Sequence, residues 1–378
     1  MKNFYSSKSV ARMSRSRSGS ATNQLGLTLI ELMISMVLGL VLVGGVLSIF
    51  ISTNQTAKLN DNLMRVQENA RSAFDLMARE IREAGQNPCG ARKNITNVLR
   101  SGGTIPVWTD WNLGTLRGFD DTEDVTGIKA FGTATAARVS GTDAVLVIKA
   151  DADEKAMASH DTGTTLFTLT SGSAFQENDI AFVCDALSSA IFQIYDASPA
   201  SGTNKGIDLD HQADVSNMNC SDFLSYATPV TTCPTVAKQF VVNSGSTPEV
   251  RIAPLASSFW YVGNSASGKR SLYRSKITRS GTGGTTIIMS PDEIVPDVQD
   301  LQITYLTRDG GTGTLATDWV DAGSITGWAD DNATAQVVAV KLDLTLQTVE
   351  KVSTSQAAIQ RHLIYVVALR NRDIFVAP

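Results

Sequence analysis

A single carboxylate, Glu31, heads an otherwise uncharged run, for no ionisable side chain occurs from Leu32 to Ala57. An ionised carboxylate within hydrocarbon costs about 2.5–3.5 kcal/mol, which favours a cationic partner. The neighbours at helical spacing, Leu27, Thr28, Ile34 and Ser35, carry no charge to meet it. A cut after Gly26 creates an α-amine on Leu27, four residues before Glu31, and supplies that cation. The chemistry expected of these residues is proteolytic maturation followed by amine–carboxylate pairing.

The remaining reactive residues are sparse. Cys89, Cys184, Cys220 and Cys233 allow three pairings and contain no C-x₂₋₄-C spacing, so disulfides in an oxidising compartment are expected rather than a zinc site. The histidines are His160, His211 and His362, and no G-x-S-x-G, H-E-x-x-H or G-x-x-x-x-G-K-[ST] motif occurs. No enzyme activity, cofactor or metal is therefore expected. GTGTLA (311–316) has the G-x-G-x-x-A spacing, with Asp330 and Asp331 downstream, but TDWVDAG follows where a helix is required, so a loop is expected. The acidic clusters at 120–124, 151–154 and 208–211 lack the EF-hand pattern and read as solvated loops. Trp108, Trp111, Trp319 and Trp328 in Gly- and Asp-rich loops suit either stacking on a sugar or partner, or packing against a sheet.

The elements that position these residues follow from pattern. With 378 residues and 43% hydrophobic content the chain can bury a sizeable core, and a net charge of −5 argues against direct nucleic-acid binding. The basic charge is local: residues 1–26 carry Lys2, Lys8, Arg12, Arg15 and Arg17 and no acid. Residues 27–51 are long enough, at 1.5 Å per residue, to cross a ~30 Å hydrocarbon layer. The flanking cations predict a cytoplasmic N-terminus and everything beyond residue 57 outside. A secretory signal has a shorter apolar region and a small-x-small cleavage site, which is not clear here.

Beyond the span, Leu59, Leu63, Val66, Ala70, Phe74, Met77, Ile81 and Ala84 form one apolar stripe at helical period. Glu68–Arg71, Arg71–Asp75, Asp75–Arg79 and Arg79–Glu83 are candidate charge pairs on the other face. Gly85 and Pro88 signal the stop, so residues 27–88 read as a single long helix. Past it lie β-rich runs at 144–149, 179–184, 190–195, 239–242, 259–263, 271–277, 285–289, 301–306, 337–349 and 364–370. Val338, Val340, Leu342, Leu344 and Leu346 alternate with polar or small residues, which predicts a strand with one buried face. No helical pattern separates the strands, so the expected fold class is α+β, a long N-terminal helix packed on an antiparallel β-sheet head with long loops.

The segment Gly26-Leu27-Thr28-Leu29-Ile30-Glu31-Leu32-Met33 resembles the cleavage site of type IV prepilins and type II secretion pseudopilins. The resemblance implies that a prepilin peptidase cuts after Gly26 and methylates Leu27, and that Glu31 neutralises an N-terminal amine in a growing filament. Leu27 stands where the family usually has Phe, and a 26-residue leader is long for it. SSFWYVG and KRSLYR (257–274), IVPDVQDLQITYL (294–306), AVKLDLTLQT (339–348) and ALRNRD (368–373) run in the order found in minor pilins of the PilW type. This resemblance implies a pilin-like fold in three parts: a cleaved leader (1–26), the long helix (27–88) with its transmembrane segment (27–51), and a periplasmic, later extracellular, head (89–378). It further implies a bond between Cys89 and Cys184 tying the helix end to the sheet, with Cys220 and Cys233 closing a loop. The implied role is in the priming and tip complex of a type IV pilus, with twitching motility, adhesion or DNA uptake downstream. The implied partners are the peptidase, other minor pilins, the major pilin, a tip adhesin and the inner-membrane assembly platform. A J-type pseudopilin of type II secretion is the nearest alternative, although its head is usually shorter. A membrane-anchored periplasmic enzyme or sugar-binding module is the alternative of another class, and it would not need Gly26 or Glu31.

Overall fold

In the computed structural model the helix predicted from the apolar stripe is α1, Leu29–Arg82. The structure describes residues 28–90, 95–125, 127–170, 175–200, 206–242, 250–280, 286–348 and 358–372, so the leader, Gly26 and Leu27 lie outside the described residues. The chain divides into two compact units between Ala57 and Lys58. In the first unit every described residue of α1 is exposed. The second unit contains the rest of α1 together with all the strands.

The predicted stripe is the buried face of α1 in the second unit, where Val66, Ala70, Phe74, Met77, Ile81 and the following Ala84 all enter the core. The charge pairing differs in part from expectation. Arg71 does meet Asp75, at 3.8 Å, but Glu83 turns inward to Lys149 at 2.5 Å rather than along the helix to Arg79. The helix stops three residues before Gly85, whose φ of +74° is a left-handed conformation that favours glycine. The Gly85 N–H then donates to Ile148 O and the Ala150 N–H to Gln86 O, so the chain leaves the helix along the neighbouring strand.

That strand belongs to a run of fifteen among the described residues: β1 (Ile95–Asn97), β2 (Leu116–Phe119), β3 (Ala144–Ala150), β4 (Lys155–Asp161), β5 (Leu166–Leu169), β6 (Ile180–Cys184), β7 (Ser189–Gln193), β8 (Asp196–Pro199), β9 (Ile207–Asp210), β10 (Arg251–Asn264), β11 (Arg270–Ser280), β12 (Thr286–Pro296), β13 (Val298–Arg308), β14 (Gln336–Gln347) and β15 (Gln360–Ala368). Twelve form one sheet and β13–β14–β15 form a second, antiparallel one. All pairings are antiparallel except β1 with β7. β10 joins two parts of the large sheet, pairing with β4 and β6 through its first residues and with β3 and β11 beyond them.

α1 packs on the small sheet and on the β3–β10–β11 face together, in one cluster that includes Trp260, Leu272, Ile303, Tyr305, Leu342 and Leu344. The alternation predicted for β14 holds from Val340 to Leu346, each inward residue being fully buried. It breaks at Val338, because Leu306 pairs with Ala339 and Thr307 with Val337, leaving Val338 as the extra residue of a bulge. Residues 239–242, expected as a strand, form none: the Phe240 N–H donates to His160 Nδ1 at 3.1 Å, so a side chain takes the place of a ladder partner.

Candidate assembly site

Thr28 caps the first turn of α1, its Oγ1 accepting the Glu31 N–H at 3.3 Å and its carbonyl accepting those of Glu31 and Leu32 at 3.0 and 3.1 Å. Thr28-x-x-Glu31 is the spacing of a capping box, a signal that identifies Thr28 as well as Glu31. The Glu31 side chain is exposed and stands in the first turn, where the helix dipole favours a negative charge. From Leu29 to Ile51 the helix presents 17 large apolar side chains to its surroundings, Leu29 at 78% and Phe50 at 63% exposure among them. At about 1.5–3 kcal/mol each, covering them is worth on the order of 30 kcal/mol, so they demand lipid or other helices. This helix alone among the described elements is long and apolar enough to cross a membrane.

At the other end of α1, Glu80 joins the helix to the sheet. Its Oε2 accepts the Trp260 indole N–H at 2.6 Å, and its Oε1 meets the Arg274 guanidinium at 3.0 Å. The Arg274 guanidinium also lies 5.6 Å from the Trp260 ring centre. Trp260 and Arg274 belong to the SSFWYVG and KRSLYR segments, so these segments grip the helix. Sequence reasoning missed Glu80. Its signal is an acid near the helix C-terminus, where the dipole opposes one unless a cation compensates.

The C-terminal ALRNR residues close the same end. Asn371 Nδ2 donates to Ala84 O at 3.2 Å, and Arg372, nearly buried, pairs with Asp330 at 2.5 Å and donates to Val337 O at 3.0 Å. Asp330 also accepts the backbone N–H and hydroxyl of Thr115. Of the two acids downstream of GTGTLA, Asp330 is thus a packing residue, and the GTGTLA loop itself turns around the Asp309 carboxylate.

The structure pairs Cys89 with Cys184 and Cys220 with Cys233, the Sγ atoms 1.97 and 1.99 Å apart. The first pair holds the segment after α1 to the end of β6; the second closes a loop within residues 220–233.

The acidic clusters are put to structural use. Around 120–124 it is carbonyls rather than carboxylates that converge, on the buried Arg138 guanidinium: those of Glu123, Asp120 and Thr142 at 2.7–2.8 Å and of Phe119 at 3.3 Å. Glu154 pairs with Arg251 at 3.8 Å and Asp153 with Lys155. Asp208 and Asp210 accept the hydroxyls of Thr168 and Thr165. Among the described residues no three His, Cys, Asp or Glu side chains gather as metal ligands would. Trp108 and Trp111 are buried, Trp328 meets Tyr305 edge-on at 4.9 Å, and Lys341 sits over Trp319 at 5.2 Å.

One buried carboxylate couples the two sheets. Asp143, just before β3, accepts the Ile303 N–H of β13 at 2.7 Å and donates its own N–H to Leu301 O at 2.9 Å. Burial pushes its carboxyl up to about 7, with the Asp120 and Asp121 charges acting in the same direction.

Comparison with known proteins matches two stretches of the chain. The model of the prokaryotic N-terminal methylation motif matches residues 21–47, and the model described as type IV pilus-assembly protein W matches residues 259–367. Over these two stretches the chain is similar to type IV pilus minor pilins of the PilW type. No curated protein and no solved structure matches it. The matched C-terminal stretch runs from β10 to β15 and contains Trp260 and Arg274, while the N-terminal match contains Gly26, Leu27, Thr28 and Glu31. Both matches point to a structural rather than catalytic protein, anchored in a membrane by its apolar helix and associated with a pilus. The methylation-motif match implies a prepilin peptidase substrate, and the similarity to pilins implies contact with other pilus components.

Proposed function

We propose that this chain is a minor pilin, cut after Gly26, methylated on Leu27, and assembled with other minor pilins into the complex that primes a type IV pilus and remains at its tip. The observation that carries the reading is the uncovered apolar face of α1 from residue 29 to 51, headed by one carboxylate held in a capped first turn. Before assembly lipid covers this face, with the leader in the cytoplasm and the head in the periplasm, as the cations of residues 1–26 favour. In the filament the helices of neighbouring subunits replace the lipid. Glu31 then pairs with an N-terminal amine, an interaction strengthened by the low dielectric of the surroundings. Glu80, Arg274 and Trp260 fix the second half of α1 to the sheet, and the head offers a face to the next minor pilin, the major pilin or a tip adhesin.

The test is complementation in the host. Gly26→Trp should block maturation, and Glu31→Ala should permit maturation but reduce surface pili and pilus-dependent movement. Wild-type piliation by both variants would refute the proposal. Loss of protein secretion with pili intact would favour the type II pseudopilin reading instead.

A further inference from the structure

Two of the three histidines meet in the core of the head. His160 in β4 and His211 just after β9 bring their Nε2 atoms to 3.2 Å, and both rings are buried. Phe167 lies against both, with ring centres 4.2 Å from His160 and 4.8 Å from His211, and Phe192 and Phe240 complete the surroundings. The hydrogen bonds fix where the protons are. The Phe240 N–H donates to His160 Nδ1 at 3.1 Å, so this nitrogen carries no proton in the neutral ring. His160 then bears its proton on Nε2 and donates it to His211 Nε2, which leaves the His211 proton on Nδ1. With His160 Nε2 protonated, no lone pair remains there for a metal ion to share between the two rings.

Any additional proton must enter at His160 Nδ1 or His211 Nε2, and each already accepts a hydrogen bond. Protonation would set a donor against a donor in either place. Loss of the bond at Nδ1 frees Phe240, on the stretch that the hydrophobic pattern predicts as a strand but that has no ladder to hold it. Two neighbouring contacts also hold this stretch: Gln239 Nε2 to His160 O at 3.3 Å and Lys238 to Asp185 at 2.8 Å. We propose that the His160–His211 pair is an acid-operated latch, which in its neutral form holds residues 238–242 on the β4–β5–β9 part of the sheet and on protonation lets them go, uncovering Phe167.

The charges around the pair give an imidazolium little support. Asp161, ending β4, is exposed and turned to the backbone of Gly163. Asp208 and Asp210 of β9 are engaged by Thr168 and Thr165, and Lys238, on the held stretch, opposes a second positive charge. β5 and β7 carry no charged residue. Burial therefore holds His160 down at about 4 and His211 at about 3. A released imidazole titrates near 6.5. The latch is accordingly fully closed above that pH and weakens as pH falls from 6.5 toward 4, by on the order of 100-fold per imidazole at pH 4.5.

The test is amide hydrogen exchange on the full chain in detergent micelles between pH 7 and 4, corrected at each pH for the intrinsic exchange rate. The Trp260 amide of β10 serves as the reference for global opening. The expected result is that protection at Phe240 falls at least 100-fold by pH 4.5 while Trp260 stays protected. In His160→Asn, whose amide oxygen can accept from Phe240 without titrating, the fall should shrink by at least tenfold. Phe240 protection that persists to pH 4, or that is lost only together with Trp260, would overturn the latch. So would a ¹⁵N spectrum showing His160 protonated on Nδ1 at pH 7.

Discussion

Replacing Glu80 by Ala should loosen the second half of α1 from the sheet. The carboxylate satisfies two partners at once, the Trp260 indole at 2.6 Å and the Arg274 guanidinium at 3.0 Å, and its side chain is only 13% exposed. Truncation strands a fully buried indole N–H, at about 1–3 kcal/mol, and removes the partner of a cation whose Nε already lacks one. Breaking a buried ion pair costs about 3–5 kcal/mol, but Arg274 retains 24% exposure and recovers part of this through water. A net loss of about 2–4 kcal/mol is expected. Glu80→Gln keeps an acceptor for Trp260 and loses only the charge, so about 1–2 kcal/mol should go. Urea unfolding of the full chain in micelles, followed by tryptophan fluorescence, reads both values, and a double-mutant cycle with Arg274→Met isolates the pair. Equal effects of Gln and Ala, or a loss below 0.5 kcal/mol for Ala, would refute the assignment of Glu80 as the clamp.

Two further predictions concern the head. Because burial raises the Asp143 carboxyl to about 7 against 3.8 in its ordinary state, the folded protein holds this proton more tightly than the unfolded chain. The stabilisation is fully present below about pH 4 and lost as pH rises through 7, so Asp143→Asn should gain stability relative to wild type between pH 5 and pH 8, by a few kcal/mol at ~1.4 per pH unit; a relative loss in urea unfolding over that range would contradict it. The bond between Cys89 and Cys184 spans 95 residues against 13 for Cys220 with Cys233. Chain-entropy arguments put the two at about 4–5 and 3 kcal/mol, so Ser replacement of the first pair should lower the unfolding midpoint more.

Much of this architecture is legible in the sequence because a single period dominates each element. The stripe from Val66 to Ile81 marks the buried face of α1, and the alternation in β14 survives wherever no bulge intervenes. The short strands β4, β5, β8 and β9 escape because KAMASHD, LFTL, DASP and IDLD are too brief or too polar to show a period. Residues 239–242 mislead for the opposite reason: their pattern is right, but their amide is taken by an imidazole 80 positions away. Local charge spacing likewise pairs Glu83 with Arg79, whereas the fold brings up Lys149 from β3. Glu31 needs no such context, since its isolation in an uncharged run is itself the signal.

The central claim, that a new amine on Leu27 meets Glu31 during assembly, is tested most directly by mass spectrometry of the N-terminal peptide of the protein purified from sheared pili. The account predicts a peptide that begins with N-methyl-Leu27. A peptide that begins upstream of Leu27, or at an unmethylated residue beyond it, would contradict the account.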